Sequence, residues 1–171
     1  MHADYIGIHM VQLHEIGRIH TPYIDTAPYQ PVTDDLGVFK LILQEQYTSA
    51  LQDVEKFRYI YVIYFLDRIT PKKYYDQVSP PWAEGKQVGL FASRSPNRPN
   101  PIGLSIVEVK QIRGNVIYTS GLDVYDNTPL LDIKPYIQEL DVKPDANYGW
   151  LQSDNEEDRD HLLLHIQGKP H

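Results

Sequence analysis

Val88–Ser105 reads VGLFASRSPNRPNPIGLS. The stretch starts apolar, from Val88 to Ala92, turns polar and proline-rich, and becomes apolar again from Ile102. Pro96, Pro99 and Pro101 exclude a regular helix, because proline lacks an N–H and biases the preceding residue towards extended backbone. The reading is therefore strand, rigid loop, strand. The loop presents Arg94 and Arg98, four apart, with Ser95, Asn97 and Asn100 around them. A backbone with few conformations to lose suits a ligand site, since pre-ordering lowers the entropy cost of binding. The plainer reading is a surface loop whose arginines pair with nearby carboxylates.

Working outward, Arg58–Leu66 (RYIYVIYFL) is the most hydrophobic stretch, and its β-branched and aromatic content predicts a strand covered on both faces. Tyr47–Phe57 predicts a short helix, with Leu51, Val54 and Phe57 at three-residue spacing. Gly37–Leu43 and the alternating Leu13–Thr21 predict two more strands, separated by an irregular loop over Tyr23–Leu36; Met1–Gln12 is a lead-in able to cover an edge. Pro71–Lys86 reads as irregular. On the other side, Ile102–Ile112 continues as a long strand, and Arg113-Gly114-Asn115 turns it into Val116–Ser120, a hairpin signal. Gly121–Tyr136, GLDVYDNTPLLDIKPY, brings Asp123, Asp126 and Asp132 close together. Asp141–Gly149 reads as loop, and Ser153-Asp154-Asn155-Glu156 is a capping box opening a helix through about Gln167. Many strands, few helices and no βαβ rhythm predict a mainly β fold: a small antiparallel β-barrel or bent sheet with short helices, including a C-terminal helix. At 171 residues the chain is most simply one domain over 1–171.

The net charge of −7 means that overall charge does not attract a polyanion, so any nucleic-acid contact needs a local basic patch. There are no cysteines, which removes disulfides, thiolate metal sites and a cysteine nucleophile. No apolar run reaches the length of a membrane span, and no basic-then-apolar leader opens the sequence, so a soluble cytoplasmic protein is expected. His161 and His165 share a helix face at i, i+4, but no carboxylate completes a zinc set. Asp123, Asp126 and Asp132 suit either Mg²⁺ or turns in which each aspartate bonds its own backbone. Gly-rich phosphate loops are missing, and Ser93, Ser95 and Ser105 have no histidine nearby to act as base. What remains is a site of arginines, carboxylates, amides and backbone, suited to a small polar ligand. A carboxylate there can hold a ribose or a sulfonium cation, and an arginine can hold a carboxylate.

Phe91–Ser105 (FASRSPNRPNPIGLS) and Gly121–Tyr136 together resemble the two signature stretches of the TsaA-like (TrmO) family. The likeness extends to Ile16-Gly17-Arg18-Ile19, Thr21-Pro22-Tyr23, Pro28–Gln30 and Phe57–Leu66, and so covers roughly Leu13–Tyr136, with 137–171 as an extension. That family includes the tRNA N6-threonylcarbamoyladenosine methyltransferase. The resemblance implies a β-barrel that binds S-adenosylmethionine without a Rossmann domain, in a homodimer with the cofactor near the subunit interface, and tRNA as the partner. Carried over by position, the cofactor-binding residues are Gln30, Pro31 and Val32; Asp67 and Arg68; Arg94, Arg98 and Leu104; and Val124, Tyr125, Asp126 and Asn127. On this reading Asp126 and neighbouring carbonyls hold the ligand's cationic end, Arg94 or Arg98 orients a carboxylate or phosphate, and Lys134 and Tyr136 face the target base. No metal belongs to the expected site. Three positions depart from the family pattern. Tyr29 replaces an arginine, Asp67 a histidine and Asn127 a glycine; asparagine tolerates the left-handed backbone that glycine provides. Longer members also carry a C-terminal domain, where this sequence is expected to have only its helix. The alternative function is a regulatory or interaction module that binds S-adenosylmethionine without transferring methyl groups, and a ligand-free dimeric barrel is a third reading. A face shared by Arg94, Arg98, Lys110, Arg113 and Lys134 would favour RNA.

Overall fold

The computed structural model describes residues 11–28, 37–69, 76–80 and 85–151. Eight strands run in chain order: β1 (Gly17–His20), β2 (Phe39–Leu43), β3 (Tyr59–Phe65), β4 (Gln77–Val78), β5 (Val88–Gly89), β6 (Ile102–Arg113), β7 (Val116–Thr119) and β8 (Thr128–Pro135). Six of them close into an antiparallel barrel in the order β1-β2-β7-β6-β3-β8, while β4 and β5 form a separate two-stranded ribbon. The mainly β reading thus holds, and closure removes the open edges of the sheet.

Period-two alternation builds the interior. Ile19, Phe39, Leu41, Ile60, Val62, Val107, Ile117 and Leu130 are all essentially inaccessible and pack into one cluster. Two glycines permit this packing. A Cβ on Gly17 would lie 2.2 Å from the Ile42 carbonyl oxygen across the β1–β2 pair. A Cβ on Gly103 would lie 2.0 Å from the Tyr64 ring, which leans across β6 to bring its hydroxyl 3.0 Å from Ser105 Oγ. The hairpin turn between β6 and β7 carries Gly114 at φ 59°, in the left-handed region.

Several expectations are corrected. β3 is not covered on both faces: Ile60, Val62 and Tyr64 point inward, whereas Tyr59, Tyr61, Ile63 and Phe65 face outward, because a barrel wall buries one side only. The stretch read as one helix is two 3-10 segments, Glu45–Leu51 and Val54–Lys56, interrupted by Asp53 at φ 69°. The three-residue spacing of Leu51, Val54 and Phe57 is the period of a 3-10 helix. After β5 the chain enters a 3-10 turn, Leu90–Ala92, instead of continuing as strand, with the Leu90 amide on the Asp76 carbonyl and its side chain buried. β1 begins at Gly17, later than read, and a short helix, α1 (Gln138–Asp141), precedes the segment read as loop and ends on its first residue. The C-terminal helix, its capping box and His161/His165 lie outside the described residues, as do most of the lead-in and most of Pro71–Lys86.

Candidate functional site

Register places four connections at one end of the barrel. β1 leaves towards Thr21–Ile24 as β8 enters from Asn127, with Ile19 opposite Thr128. β3 ends at Asp67-Arg68 as β6 enters from Pro101, with Phe65 opposite Ile102 and the Leu66 amide on the Pro101 carbonyl at 2.8 Å. β3 and β8 pair with Tyr64 opposite Leu130, so both halves meet. Arg68, Arg94, Arg98 and Asp123–Asn127 therefore belong to one cluster of loops, although the two signature stretches are far apart in sequence.

Backbone donors and carbonyls fasten these loops. The Asp126 amide bonds the Tyr23 carbonyl at 2.7 Å and the Asn127 amide bonds the Ile19 carbonyl at 2.8 Å. Thr21 Oγ1 donates to the Val124 carbonyl, and Thr128 Oγ1 to that of Tyr125. Asn127 takes φ 66°, the left-handed conformation that its replacement of glycine requires. Asp126 Oδ1 accepts the Thr21 amide at 3.1 Å and lies 3.1 Å from His20 Nδ1. Its carboxylate thus joins the two strand ends as well as carrying charge.

The arginines divide by task. Arg68 donates to the carbonyls of Ile24 and Asp126, and its guanidinium lies 4.5 Å from the centre of the Tyr125 ring. Arg18, a residue outside the expected set, pairs with Glu15 at 2.6 Å and donates to the Asn127 carbonyl at 3.0 Å. Arg98 Nη1 donates to the Ser93 carbonyl at 2.9 Å and reaches that of Leu90 at 3.5 Å, so this arginine staples its own loop. Arg94 makes no hydrogen bond among the described residues, and it acts on Asp123 and Tyr64 through its charge. Asp123, which sequence reading set among turn or Mg²⁺ aspartates, is largely buried, with Oδ1 lacking a partner among the described residues. Burial pushes its carboxyl up, while its own amide and the Arg94 charge pull it back. Burial and the Asp123 charge push the Tyr64 phenol up to about 12, against the opposing pull of Ser105 and Arg94.

Of the remaining candidates among the described residues, only Asp67 shares the loop end. Gln30, Pro31 and Val32, with Tyr29, lie outside the described residues. Asp67 is exposed in the turn after β3, its amide on the Phe65 carbonyl. Leu104 points outward from β6, 55% exposed. Lys134 and Tyr136 sit at the opposite end of the barrel, where Lys134 pairs with Asp132 at 2.7 Å and the Tyr136 ring packs on Tyr59 and Tyr61. Within one chain the structure therefore does not bring them to the loop cluster. The five basic residues are divided likewise: Arg94 and Arg98 are at the loop end, Lys110 and Arg113 near the hairpin turn, and Lys134 beyond Asp132. Along β6, Lys110 stands about 26 Å and Arg113 about 36 Å from the Ile102 end that adjoins the loops. Among the described residues no three His, Cys, Asp or Glu side chains gather to hold a metal, and the three aspartates point to different places. Ser93 and Ser95 close turns, and Ser105 serves Tyr64.

Known proteins resemble this chain over most of its length. The family model for the tRNA-methyltransferase O N-terminal domain matches residues 18–142. A probable S-adenosyl-L-methionine-binding protein of Pyrococcus abyssi is 34% identical over 150 residues, 84% of this chain and 77% of that protein. The tRNA (adenine(37)-N6)-methyltransferase of Escherichia coli is 35% identical over 151 residues, 83% of this chain and 64% of its own length, so the chain spans under two thirds of that enzyme. A crystal structure of TrmO superposes with a TM-score of 0.69 at 25% identity, over 95% of this chain and 78% of that one. No helix among the described residues is long and apolar enough to cross a membrane.

Proposed function

The chain belongs to the tRNA-methyltransferase O family, and from that premise we propose that it binds S-adenosylmethionine at the loop-built end of the barrel and methylates adenine N6 in tRNA. Threonylcarbamoyl-modified adenosine is the substrate form we propose, in the cytoplasm, where such a reaction meets tRNA. The observation that supports the reading is the meeting of four connections at one end of the barrel, where Arg94 acts by its charge on Asp123 and Tyr64 and makes no hydrogen bond among the described residues. Arg94 suits a ligand carboxylate, and the carboxylates of Asp123 and Asp126 suit a cationic or hydroxyl-bearing group. When bound, S-adenosylmethionine supplies an electrophilic sulfonium methyl, so the protein's task is positioning more than covalent chemistry.

The homodimer belongs to the same proposal. Ile63, Phe65, Ile102, Leu104 and Ile106 form a partly exposed apolar face on β3 and β6, with Leu104 and Ile106 more than half exposed. A two-fold axis across these strands would set the Lys134–Tyr136 end of one protomer beside the loop end of the other, with Leu104 next to the cofactor. A second reading, an S-adenosylmethionine-binding module without an RNA substrate, is favoured by the division of the basic residues between two ends and by the net charge of −7. Calorimetry with S-adenosylmethionine and S-adenosylhomocysteine, followed by labelled methyl transfer to tRNA with and without the threonylcarbamoyl group, separates them. Binding with transfer supports the first reading, binding without transfer the second, and no binding removes both.

A further inference from the structure

We propose that Phe91 is a stacking platform for an unpaired base of the RNA substrate, presented beside the cofactor loops; this rests on the tRNA reading above. Phe91 is 78% exposed, although it sits in a 3-10 turn whose preceding residue, Leu90, is buried. The turn is clasped from both sides. Arg98 holds the carbonyls of Leu90 and Ser93, and Trp150 Nε1 donates to the Ala92 carbonyl at 2.7 Å. The Arg98 guanidinium lies over the Phe91 ring, 5.5 Å from its centre, so a cation covers one face of the exposed aromatic and the other is left to a ligand. An aromatic ring fixed in this manner is more than a side chain stranded on a loose loop.

The surrounding charge indicates the occupant. From Gly85 to Val107 the sequence holds three cations, Lys86, Arg94 and Arg98, and no carboxylate; exposed Asp76 lies across the ribbon from Leu90 and Asp123 faces Arg94, so cations outnumber the acids near this turn in a chain whose net charge is −7. Lys86 joins the same surface, with its Nζ on the Trp150 carbonyl at 3.3 Å and 5.4 Å from that ring. An exposed aromatic in a local cationic field suits a nucleobase with its phosphates. Single-stranded RNA is read by such stacking on aromatic rings and guanidinium planes. A chain this acidic gains little from long-range attraction to RNA, so short-range stacking has to carry much of its grip.

The test uses the full chain and fluorescently labelled tRNA, read by anisotropy, with S-adenosylmethionine calorimetry and sedimentation in parallel. Phe91→Ala is expected to weaken tRNA binding about 5- to 150-fold, with cofactor affinity and sedimentation unchanged, and Phe91→Trp to restore it. Equal tRNA affinity in wild type and Phe91→Ala, or no tRNA binding by wild type, overturns the proposal. So does a change of oligomeric state in Phe91→Ala, which would make the ring a contact between copies. Phe91-dependent tRNA binding without cofactor binding supports the platform and refutes the methyl-transfer reading alone.

Discussion

Arg68→Ala tests whether the loop cluster is held together as described. Arg68 joins three connections: it donates to the Ile24 carbonyl after β1, donates to the Asp126 carbonyl before β8, and stacks on Tyr125, all from the turn after β3. The guanidinium is exposed, so each hydrogen bond contributes about 1 kcal/mol and the ring contact about 0.5–1 kcal/mol. Losing all three removes about 2–3 kcal/mol of order from the loops. If only the ordered arrangement accepts S-adenosylmethionine, the dissociation constant rises about 30- to 150-fold. Arg68 is exposed and stands outside the core cluster, so far-UV circular dichroism and cooperative unfolding are expected to persist. Arg68→Lys keeps the charge but loses the fork and the flat stacking surface, and should recover only part of the affinity. Calorimetry on the three proteins decides. A dissociation constant within about threefold of wild type for Arg68→Ala would refute the reasoning, because the loops would then hold without their common clasp.

The other predictions concern the barrel wall and its faces. Gly103→Ala should cost about 1–3 kcal/mol in denaturant unfolding, since its Cβ would meet the Tyr64 ring at 2.0 Å and displace the hydroxyl from Ser105; unchanged stability would show that the ring moves freely. Tyr64, pushed up to about 12 in the fold from 10.0, binds its proton more tightly folded than unfolded, so its contribution is complete below about pH 10 and is lost as pH rises towards 12. Tyr64→Phe should therefore be less stable by about 1 kcal/mol at neutral pH, yet lose about 2–3 kcal/mol less than wild type across that alkaline window; parallel pH profiles would contradict the buried phenol. Leu104→Asp puts a charge at the centre of the exposed apolar face and should yield a folded monomer by sedimentation equilibrium; an intact dimer would place the interface elsewhere.

The sequence was most legible where the signal is local. Gly114 announces its turn because few residues accept a left-handed φ, and the prolines after Arg94 exclude a helix whatever the tertiary setting. β3 was harder. Its residues are apolar at nearly every position, so alternation cannot reveal that Tyr61, Ile63 and Phe65 face outward; that follows from barrel closure, a property of six strands together. The helix expected over Tyr47–Phe57 is 3-10 in both its pieces, as its three-residue spacing allows, and Asp53, with its left-handed backbone, divides them. At the site, the residue types were readable and their partners were not. Asp126 is held by Thr21, 105 residues away, and Arg68 by Ile24, 44 residues away. Spacing in the chain carries no trace of either pairing.

That gap alters the meaning of the arginines. A sequence with Arg18, Arg68, Arg94 and Arg98 near its signature stretches invites the view that all four await an anionic ligand. Three of them instead donate to main-chain carbonyls: Arg18 to Asn127, Arg68 to Ile24 and Asp126, and Arg98 to Leu90 and Ser93. A loop-built site has many carbonyls that no strand satisfies, and a guanidinium with five donors in a fixed fork can serve several at once. The positive charge is therefore embedded in the scaffold, where it still contributes to the local field. Arg94 alone of the four makes no hydrogen bond among the described residues, and it is the one whose charge reaches Asp123. On the proposed reading, an acidic chain keeps one anion-accepting position at the end of its barrel without an overall basic charge, because the neighbouring arginines order the loops that present it.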